Sequence, residues 1–159
     1  MNGKKVLLTD GSSFTARETL TALRNCGYQV DILSSTKLPL AGFSRWRHKI
    51  IRIDNINNNP RAFLDQLARL VEVNQYDAVL PTHESAWLIA EGIDALPAGF
   101  PVAVASVEAF RQTQSKYAFA ELLDSLNIPQ PAWQPVDAMQ TITLPYPFWV
   151  KSEYGTAGR

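Results

Sequence analysis

Residues 6–20, VLLTDGSSFTARETL, place an apolar run directly before a turn and an amphipathic segment. The run at 6–9 has no polar alternation, which is typical of a strand buried on both faces. The Asp-Gly pair at 10–11 predicts a tight turn. Thr15, with Glu18 three residues later, matches a capping box and predicts the start of a helix. A strand, a turn and a helix in this order predict the first unit of a parallel α/β sheet.

The same alternation continues along most of the chain. Further apolar runs predict strands at 28–33, 50–53, 77–81 and 100–103. Capping residues followed by apolar stripes predict further helices that begin near Asn59, Thr82, Ser106 and Ser115. The order predicts an α/β fold of the Rossmann-like kind, an open and mostly parallel sheet with helices on both faces.

Polar segments follow three of the predicted strands, at 10–13, 34–36 and 82–84. Ligands of such sheets bind beyond the carboxyl ends of the strands, where these segments meet. Asp10 and Ser12 are therefore candidate substrate-binding residues. A tight turn followed by a helix cap is the alternative explanation of the first segment.

His83 and Glu84 join an imidazole and a carboxylate at one strand end. The pair could bind a substrate amine or take part in acid–base chemistry, so both are candidate substrate-binding residues. In the alternative reading, Thr82 caps the helix and Glu84 favours its positive N-terminal end.

The composition of the 159 residues excludes several classes of protein. Fifteen basic residues balance fifteen acidic ones, which gives no reason to expect a nucleic-acid or membrane partner. No apolar run is long enough to span a bilayer, and the N-terminus is a poor signal peptide. The single cysteine, Cys26, excludes an intrachain disulfide and fits a cytoplasmic protein. The sequence contains no spacing typical of a zinc site.

The alternation of predicted strands and helices ends after Pro129. Five prolines fall between residues 129 and 147, and short β-like segments occur at 132–136 and 148–151. We therefore predict a domain boundary near residue 114, with a first α/β domain at 1–114 and the start of a second at 115–159.

Residues 115–133, SKYAFAELLDSLNIPQPAW, and 144–159, LPYPFWVKSEYGTAGR, resemble the entry to an ATP-grasp domain. That superfamily includes biotin carboxylase, carbamoyl-phosphate synthetase, D-alanine–D-alanine ligase and amino-acid ligases. Lys116 stands where members have a lysine that opens a helix. Residues 127–131 match the G-I-P-x-P turn with Asn for Gly, and 146–151 match Y-P-x-x-x-K. Residues 1–114 resemble the α/β domain that precedes the ATP-grasp domain in these proteins.

The resemblance implies an ATP site. Lys151 would contact the phosphates, Lys116 would lie beside the nucleotide, and Gly155 and Gly158 would belong to the glycine-rich loop over the phosphates. A lysine supplies a point charge, and glycines let backbone N–H groups approach an anion. The loop departs from the family pattern, since Ser152 replaces a frequent proline and Ala157 a frequent glycine. Without the resemblance, a lysine that ends an apolar strand is usually a surface residue.

Family members continue with strands of the adenine pocket and, later, with the acidic residues and asparagine that hold magnesium. The sequence therefore predicts the N-terminal part of a longer ligase, inactive by itself, with no metal ligand in this part. The resemblance implies that ATP and Mg²⁺ convert a carboxylate to an acyl phosphate, which an amine or another nucleophile then attacks. The identities of the small-molecule carboxylate and acceptor stay open.

Other classes stay open beside the ligase. A stand-alone α/β module could bind a small ligand or a partner without catalysis. An NAD-dependent oxidoreductase is disfavoured because residues 10–13 lack G-x-G-x-x-G. The basic run at 45–49, RWRHK, is more typical of a solvated loop than of a nucleic-acid site. Apolar residues at 129–150 without partner strands predict contacts between two copies, a homodimer.

Overall fold

The computed structural model describes residues 3–56, 58–137 and 139–155, with Glu84 described by its backbone alone. Contacts divide the chain into two compact units, Met1–Ala105 and Ser106–Arg159. Residues 106–114, which the sequence analysis assigns to the first domain, thus belong to the second compact unit. The predicted boundary near residue 114 marks the start of the ATP-grasp resemblance and stays a prediction.

The first unit contains a four-stranded parallel sheet in the order β3-β2-β1-β4. The strands are β1 Lys5–Leu8, β2 Gln29–Ser34, β3 Ile50–Arg52 and β4 Ala78–Leu80. Leu7 of β1 lies opposite Asp31 of β2 on one side and Val79 of β4 on the other. Four of the five strands predicted in this part of the chain are confirmed, each to within one residue at either end.

The predicted strand at 100–103 is wrong as a full strand. Only an isolated parallel bridge joins Val102 to Val79. Val79 N donates to Pro101 O at 2.6 Å, and Ala103 N donates to Val79 O at 3.1 Å. Pro101 lacks an N–H and cannot extend the ladder, which limits pairing here to the edge of β4.

Three helices cover the sheet, α1 Phe14–Asn25, α2 Pro60–Asn74 and α3 Glu84–Glu91. Asn59 caps α2 as predicted, since its side chain accepts a hydrogen bond from Ala62 N at 3.0 Å, and Pro60 occupies the first turn. Two short 3-10 turns lie at Leu40–Phe43 and Ile93–Ala95.

Two predicted caps are wrong. Ser13, and not Thr15, caps α1, because Ser13 Oγ accepts from Ala16 N at 3.0 Å. His83 occupies the N-terminal cap position of α3 without a side-chain hydrogen bond. Thr82 instead turns inward and bonds to the end of β1.

Side chains of the sheet alternate between two apolar layers, as they must in a pleated strand. On one face, Leu7, Leu33 and Val79 pack with buried residues of α2 and with Ile89 of α3. On the other face, Leu8, Val30 and Ile32 of the strands pack with Ala16 and Leu20 of α1. The prediction of an α/β sheet with helices on both faces is confirmed.

The second unit begins with two helices, α4 Val107–Gln114 and α5 Lys116–Ser125. Ser106 and Ser115 cap them as predicted, accepting from Ala109 N at 3.2 Å and Ala118 N at 3.0 Å. Neither of the β-like segments predicted at 132–136 and 148–151 forms a strand within the described residues.

The segment after α5 folds back onto that helix. Gln130 Nε2 donates to Asp124 Oδ1 at 2.5 Å, and Trp133 Nε1 donates to Asp124 Oδ2 at 2.9 Å. The Trp133 ring meets Tyr117 edge to face, with centroids 5.6 Å apart. Trp133 therefore packs between α5 and the segment that follows it, whereas Trp149 is 91% exposed.

Candidate functional site

A cavity of about 360 Å³ opens at the carboxyl edge of the sheet in the first unit. We call it the strand-end cleft. Polar segments after three strands line it with an apolar floor; the lining residues include Thr9, Asp10, Ser12, Ser13, Leu33, Ser34, Ser35, Thr36, Ile53, Asp54, Phe63 and His83. The structure thus brings Asp10, Ser12 and His83 together in one place. Their role in binding substrate stays a prediction.

The turn after β1 positions Asp10 and Ser12. Gly11 N donates to Leu33 O at 3.1 Å, and Gly11 O accepts from Ala41 N at 2.8 Å, so the turn is bonded to β2 and to the 3-10 turn at Leu40–Phe43. A Cβ atom at Gly11 would lie 2.4 Å from Cγ2 of Ile32, which explains why glycine stands here. Asp10 has φ 51°, in the left-handed region that aspartate tolerates better than most residues.

The carboxylate of Asp10 is held by buried hydroxyl groups. Thr9 Oγ1 donates to Asp10 Oδ2 at 3.1 Å, and the hydroxyl of Ser85 donates to the same oxygen. Burial raises the pKa of Asp10, and the hydrogen bonds from Ser85 and Thr9 and the nearby His83 offset part of that increase. The cleft wall therefore presents a carboxyl group whose proton affinity is higher than usual.

Thr82 fixes the end of β4 to the end of β1. Its N–H donates to Thr9 Oγ1 and its hydroxyl donates to Thr9 O, each at 3.0 Å. Both threonines are almost completely buried. These bonds set where His83 emerges at the cleft.

His83 has φ 55° and ψ −139°, an unusual backbone conformation for a residue with a side chain. Such conformations cost on the order of 1–3 kcal/mol and cluster at functional sites. The side chain is exposed and lines the strand-end cleft. The side chain of Glu84, the other predicted member of this pair, lies outside the described residues.

A row of hydroxyl groups forms the opposite wall. Ser12 Oγ lies 2.5 Å from Thr36 Oγ1, which lies 3.0 Å from Ser34 Oγ. Hydroxyls both donate and accept, so the row can bind oxygen atoms of a carboxylate, phosphate or alcohol.

Sequence reasoning missed two polar residues of this region. Asp54 follows β3 and accepts a hydrogen bond from Gln66 Nε2 at 2.6 Å. The strand-end rule that selected Asp10 would also have found it. Ser85 lies in the first turn of α3, and its hydroxyl contacts Thr9 Oγ1 at 2.6 Å as well as the Asp10 carboxylate. Both partners are remote in sequence, so no local pattern identifies Ser85.

A separate cluster in the second unit joins the start of α5 to the loop at 153–155. Lys116 Nζ donates to Gly155 O at 3.0 Å and to Glu153 O at 3.3 Å, while its backbone N–H donates to Glu153 O at 3.1 Å. The buried hydroxyl of Ser115 donates to Glu153 Oε1 at 2.6 Å. Residues far apart in sequence therefore meet as one cluster, which we call the loop clamp.

Of the predicted ATP-binding residues, Lys116 and Gly155 are in direct contact within the loop clamp. Gly155 has φ 125°, a conformation that favours glycine. Lys151 is exposed on the same loop. Gly158 lies outside the described residues. Nucleotide binding by these residues stays a prediction.

The last two residues of the basic run at 45–49 contact a buried carboxylate. His48 Nδ1 lies 2.7 Å from Oδ1 of the buried Asp31, and Lys49 Nζ lies 3.4 Å from Oδ2. Tyr76 also donates to Asp31, at 2.5 Å. His48 and Lys49 are thus paired with a buried carboxylate of β2.

No three His, Cys, Asp or Glu side chains in residues 3–56, 58–137 and 139–155 are grouped to hold a metal ion. None of the helices in that part of the chain has the length and apolar character needed to cross a membrane.

No protein-family model matches the sequence, and no curated protein matches it. Its fold is similar to that of L-amino acid ligase from Bacillus licheniformis, with 11% identity and a TM-score of 0.64 over 91% of this chain and 36% of that one. N5-carboxyaminoimidazole ribonucleotide synthetase from Thermotoga maritima is 16% identical, with a TM-score of 0.56 over 86% of this chain and 34% of that one.

N5-carboxyaminoimidazole synthetase from Staphylococcus aureus, complexed with ADP, is 16% identical, with a TM-score of 0.53 over 77% of this chain and 30% of that one. The chain thus spans about a third of the length of these structures. At these identities the likeness is one of fold.

Proposed function

We propose that this chain is the N-terminal part of an ATP-grasp ligase, which uses ATP to activate a carboxylate for attack by an amine or another nucleophile. The loop clamp is the observation that carries the proposal. The lysine at the start of α5 and the loop after Lys151 were selected separately by motif, and they lie in contact. The similarity in fold to three enzymes named as a ligase or synthetases supports the same reading.

In the proposed reaction, a carboxylate oxygen of the substrate attacks the γ-phosphorus of ATP, and the bond to ADP breaks. The nucleophile then attacks the carbonyl carbon of the acyl phosphate, and phosphate leaves. Lys116, Lys151 and the backbone around Gly155 supply positive charge and N–H groups to the phosphates. The sequence motif assigns the same role to Gly158, which lies outside the described residues. This chemistry requires no nucleophilic side chain from the protein.

Magnesium would accompany ATP and neutralise charge on the phosphates. Oxygen ligands, mainly carboxylates, suit this cation. Since the described residues contain no group of three potential ligands, the proposal assigns magnesium to none of them. The resemblance implies that its ligands are acidic residues and an asparagine of the later part of such a ligase.

The strand-end cleft would bind part of the substrate. Its volume of about 360 Å³ lies within the range of small-molecule sites. Asp10, His83 and Glu84 would recognise an amine or a hydrogen-bonding group, and Ser12 with the hydroxyl row would bind oxygen atoms. The ligand is a small molecule, and we place the reaction in the cytoplasm.

The first test is the intact mass of the natural gene product in an extract of its host. We expect a mass well above 17.7 kDa, the mass of these 159 residues. That protein should release ADP when it is given ATP, magnesium, and the correct carboxylate and amine from a panel. The 159-residue chain by itself should release none.

Substitutions test the assignment of the lysines. Lys151→Ala and Lys116→Ala in the full protein should each lower kcat/KM for ATP by at least about tenfold, since a charge-assisted contact to phosphate is lost. Lys4→Ala, which changes an exposed lysine just before β1, serves as the matched control. Equal activity of all three variants would overturn the assignment.

A stand-alone binding module is the second candidate. It is favoured by one observation: all the residues that line the strand-end cleft belong to the first unit. A natural product of 17.7 kDa, together with saturable ligand binding that Asp10→Ala abolishes, would establish this function in place of the ligase.

A further inference from the structure

A second cavity in the first unit, of about 620 Å³, lies between α1 and the segment that follows Leu40. We call it the basic cavity. Its lining residues are Arg17, Thr21, Leu40, Phe43, Ser44, Arg45 and Trp46, none of which lines the strand-end cleft. The cavity is therefore a separate site, unused by the proposed reaction.

Two guanidinium groups give the basic cavity its charge. Arg17 comes from α1 and Arg45 from the loop after the 3-10 turn, and no Asp or Glu is among the lining residues. Neither guanidinium forms an ion pair with a carboxylate in the part of the chain that the structure describes. Arginine presents a planar set of N–H donors that matches carboxylate and phosphate oxygens.

Aromatic side chains complete the lining. The guanidinium carbon of Arg45 lies 4.6 Å from the ring centroid of Trp46, a cation–π arrangement. Phe43 is 73% exposed, so a large apolar ring faces solvent beside two cationic groups. The ring of a ligand could stack on either aromatic residue and remove that apolar surface from water.

Local hydrogen bonds hold this loop in place. Trp46 N donates to Ser44 Oγ at 3.2 Å, and Arg47 Nη1 donates to Ser44 O at 3.1 Å. Ser44 N donates in turn to Ala41 O at 3.1 Å. Arg45 and Trp46 are thus presented on a turn whose backbone is fixed before any ligand binds, which lowers the ordering cost of binding.

We propose that the basic cavity binds a small anion that carries a planar ring, such as an aromatic phosphate or carboxylate. The anionic group lies between Arg17 and Arg45, and the ring covers Trp46 and Phe43. A nucleic-acid strand fits less well, because His48 and Lys49 pair with Asp31 and only two cationic groups remain in the cavity. A strand needs a longer basic groove along its backbone.

Phenyl phosphate is the probe, since it joins a dianion to one ring. Titration calorimetry and the NMR signal of the Trp46 indole N–H should show saturable binding to the chain. Inorganic phosphate and benzyl alcohol, which carry only one of the two features each, should bind at least about tenfold more weakly.

Matched variants locate the site. Arg17→Gln and Arg45→Gln should each weaken binding by about tenfold, which is the effect of losing one charge-assisted contact. Arg61→Gln removes an exposed arginine of α2 that pairs with Asp65 and should leave binding unchanged. Ser12→Ala, in the strand-end cleft, should also leave it unchanged, which separates this proposal from the proposed function.

Three results would overturn the proposal. The first is the absence of phenyl phosphate binding at millimolar concentration. The second is binding that neither arginine substitution weakens. The third is much tighter binding of a short single-stranded oligonucleotide with equal losses in both arginine variants, which would identify a nucleic-acid surface.

Discussion

Gly11 lies where the turn after β1 touches β2, and a methyl group there would enter the core. A Cβ would lie 2.4 Å from Ile32 Cγ2 and 3.2 Å from Pro39 Cβ, and Ile32 is completely buried. We therefore expect Gly11→Ala to lower the free energy of unfolding by about 1–3 kcal/mol, the usual cost of overpacking. Urea denaturation measures this change. Glu18→Ala, at an exposed position on α1, should change it by less than about 0.5 kcal/mol.

Asp10 should make stability depend on pH in the acidic range. Burial raises its pKa above the ordinary value of 3.8, so the folded protein holds this proton more tightly than the unfolded chain does. The contribution of the protonated group is complete below the unfolded pKa and is lost as the pH rises through the folded pKa. In Asp10→Asn this loss should disappear.

Urea unfolding of both proteins at a series of acidic and neutral pH values provides the measurement for Asp10. The difference in unfolding free energy between Asp10→Asn and wild type should grow in favour of the variant as the pH rises through that window. A difference that is constant with pH would show that folding does not raise the pKa of Asp10. His83, whose charge favours the carboxylate, is the neighbour to substitute next.

Several helix starts were predictable from the sequence because their capping bonds are local. Asn59, Ser106 and Ser115 each accept a hydrogen bond from the residue three positions later. The start of α3 was not predictable in this way. Thr82 looks like a cap locally, but its bonds to Thr9 span 73 residues, and they pull it into the core.

The candidate site was partly predictable for the same reason. Carboxyl ends of parallel strands share one edge, so the positions of Asp10, Ser12 and His83 at one cleft followed from the strand order. Ser85 could not be found, because its partner Thr9 is remote in sequence. At α1, Ser13 N donates to Asp10 O at 2.8 Å and closes the turn after β1. The helix cap is therefore Ser13, two residues before the Thr15 that the capping box indicates.

The loop clamp joins the start of α5 to the loop at 153–155. Substitutions of Ser115 and Glu153 test whether it holds in solution. Ser115 accepts from Ala118 N and donates to Glu153 Oε1, so Ser115→Ala removes a helix cap and a tertiary contact together. We expect a loss of about 1 kcal/mol in the stability of α5 against local opening. Amide hydrogen exchange of Lys116, whose N–H donates to Glu153 O, should become faster.

Glu153→Ala separates the two roles, because it removes the contact and leaves the cap intact. It should speed exchange at Lys116 and leave exchange at Ala118 unchanged. Ser125→Ala, which removes only a bond to Leu122 O near the end of α5, is the control. Unchanged exchange at Lys116 in both Ser115→Ala and Glu153→Ala would mean that the loop clamp does not hold the loop in solution.

At the scale of the whole molecule, the two units differ in how completely they bury their apolar residues. The first unit has two buried layers, one on each face of the sheet. In the second unit, the helices α4 and α5 contain no buried residue. The predicted β-like segments fail here because a strand needs hydrogen-bonding partners, and none pairs with these segments among the described residues.

This difference predicts self-association of the 159-residue chain. Apolar side chains of the second unit are strongly exposed, among them Met139 at 92%, Trp149 at 91% and Tyr146 at 87%. Exposed apolar surface of this kind is removed from water by contact with a second copy.

Light scattering should show a mean mass that rises from 17.7 kDa toward twice that value as the protein concentration increases. A constant monomer mass at high concentration would contradict the prediction. Trp149→Ser should reduce the association, whereas the control Phe14→Ser, which removes a ring that is 75% exposed in the first unit, should not.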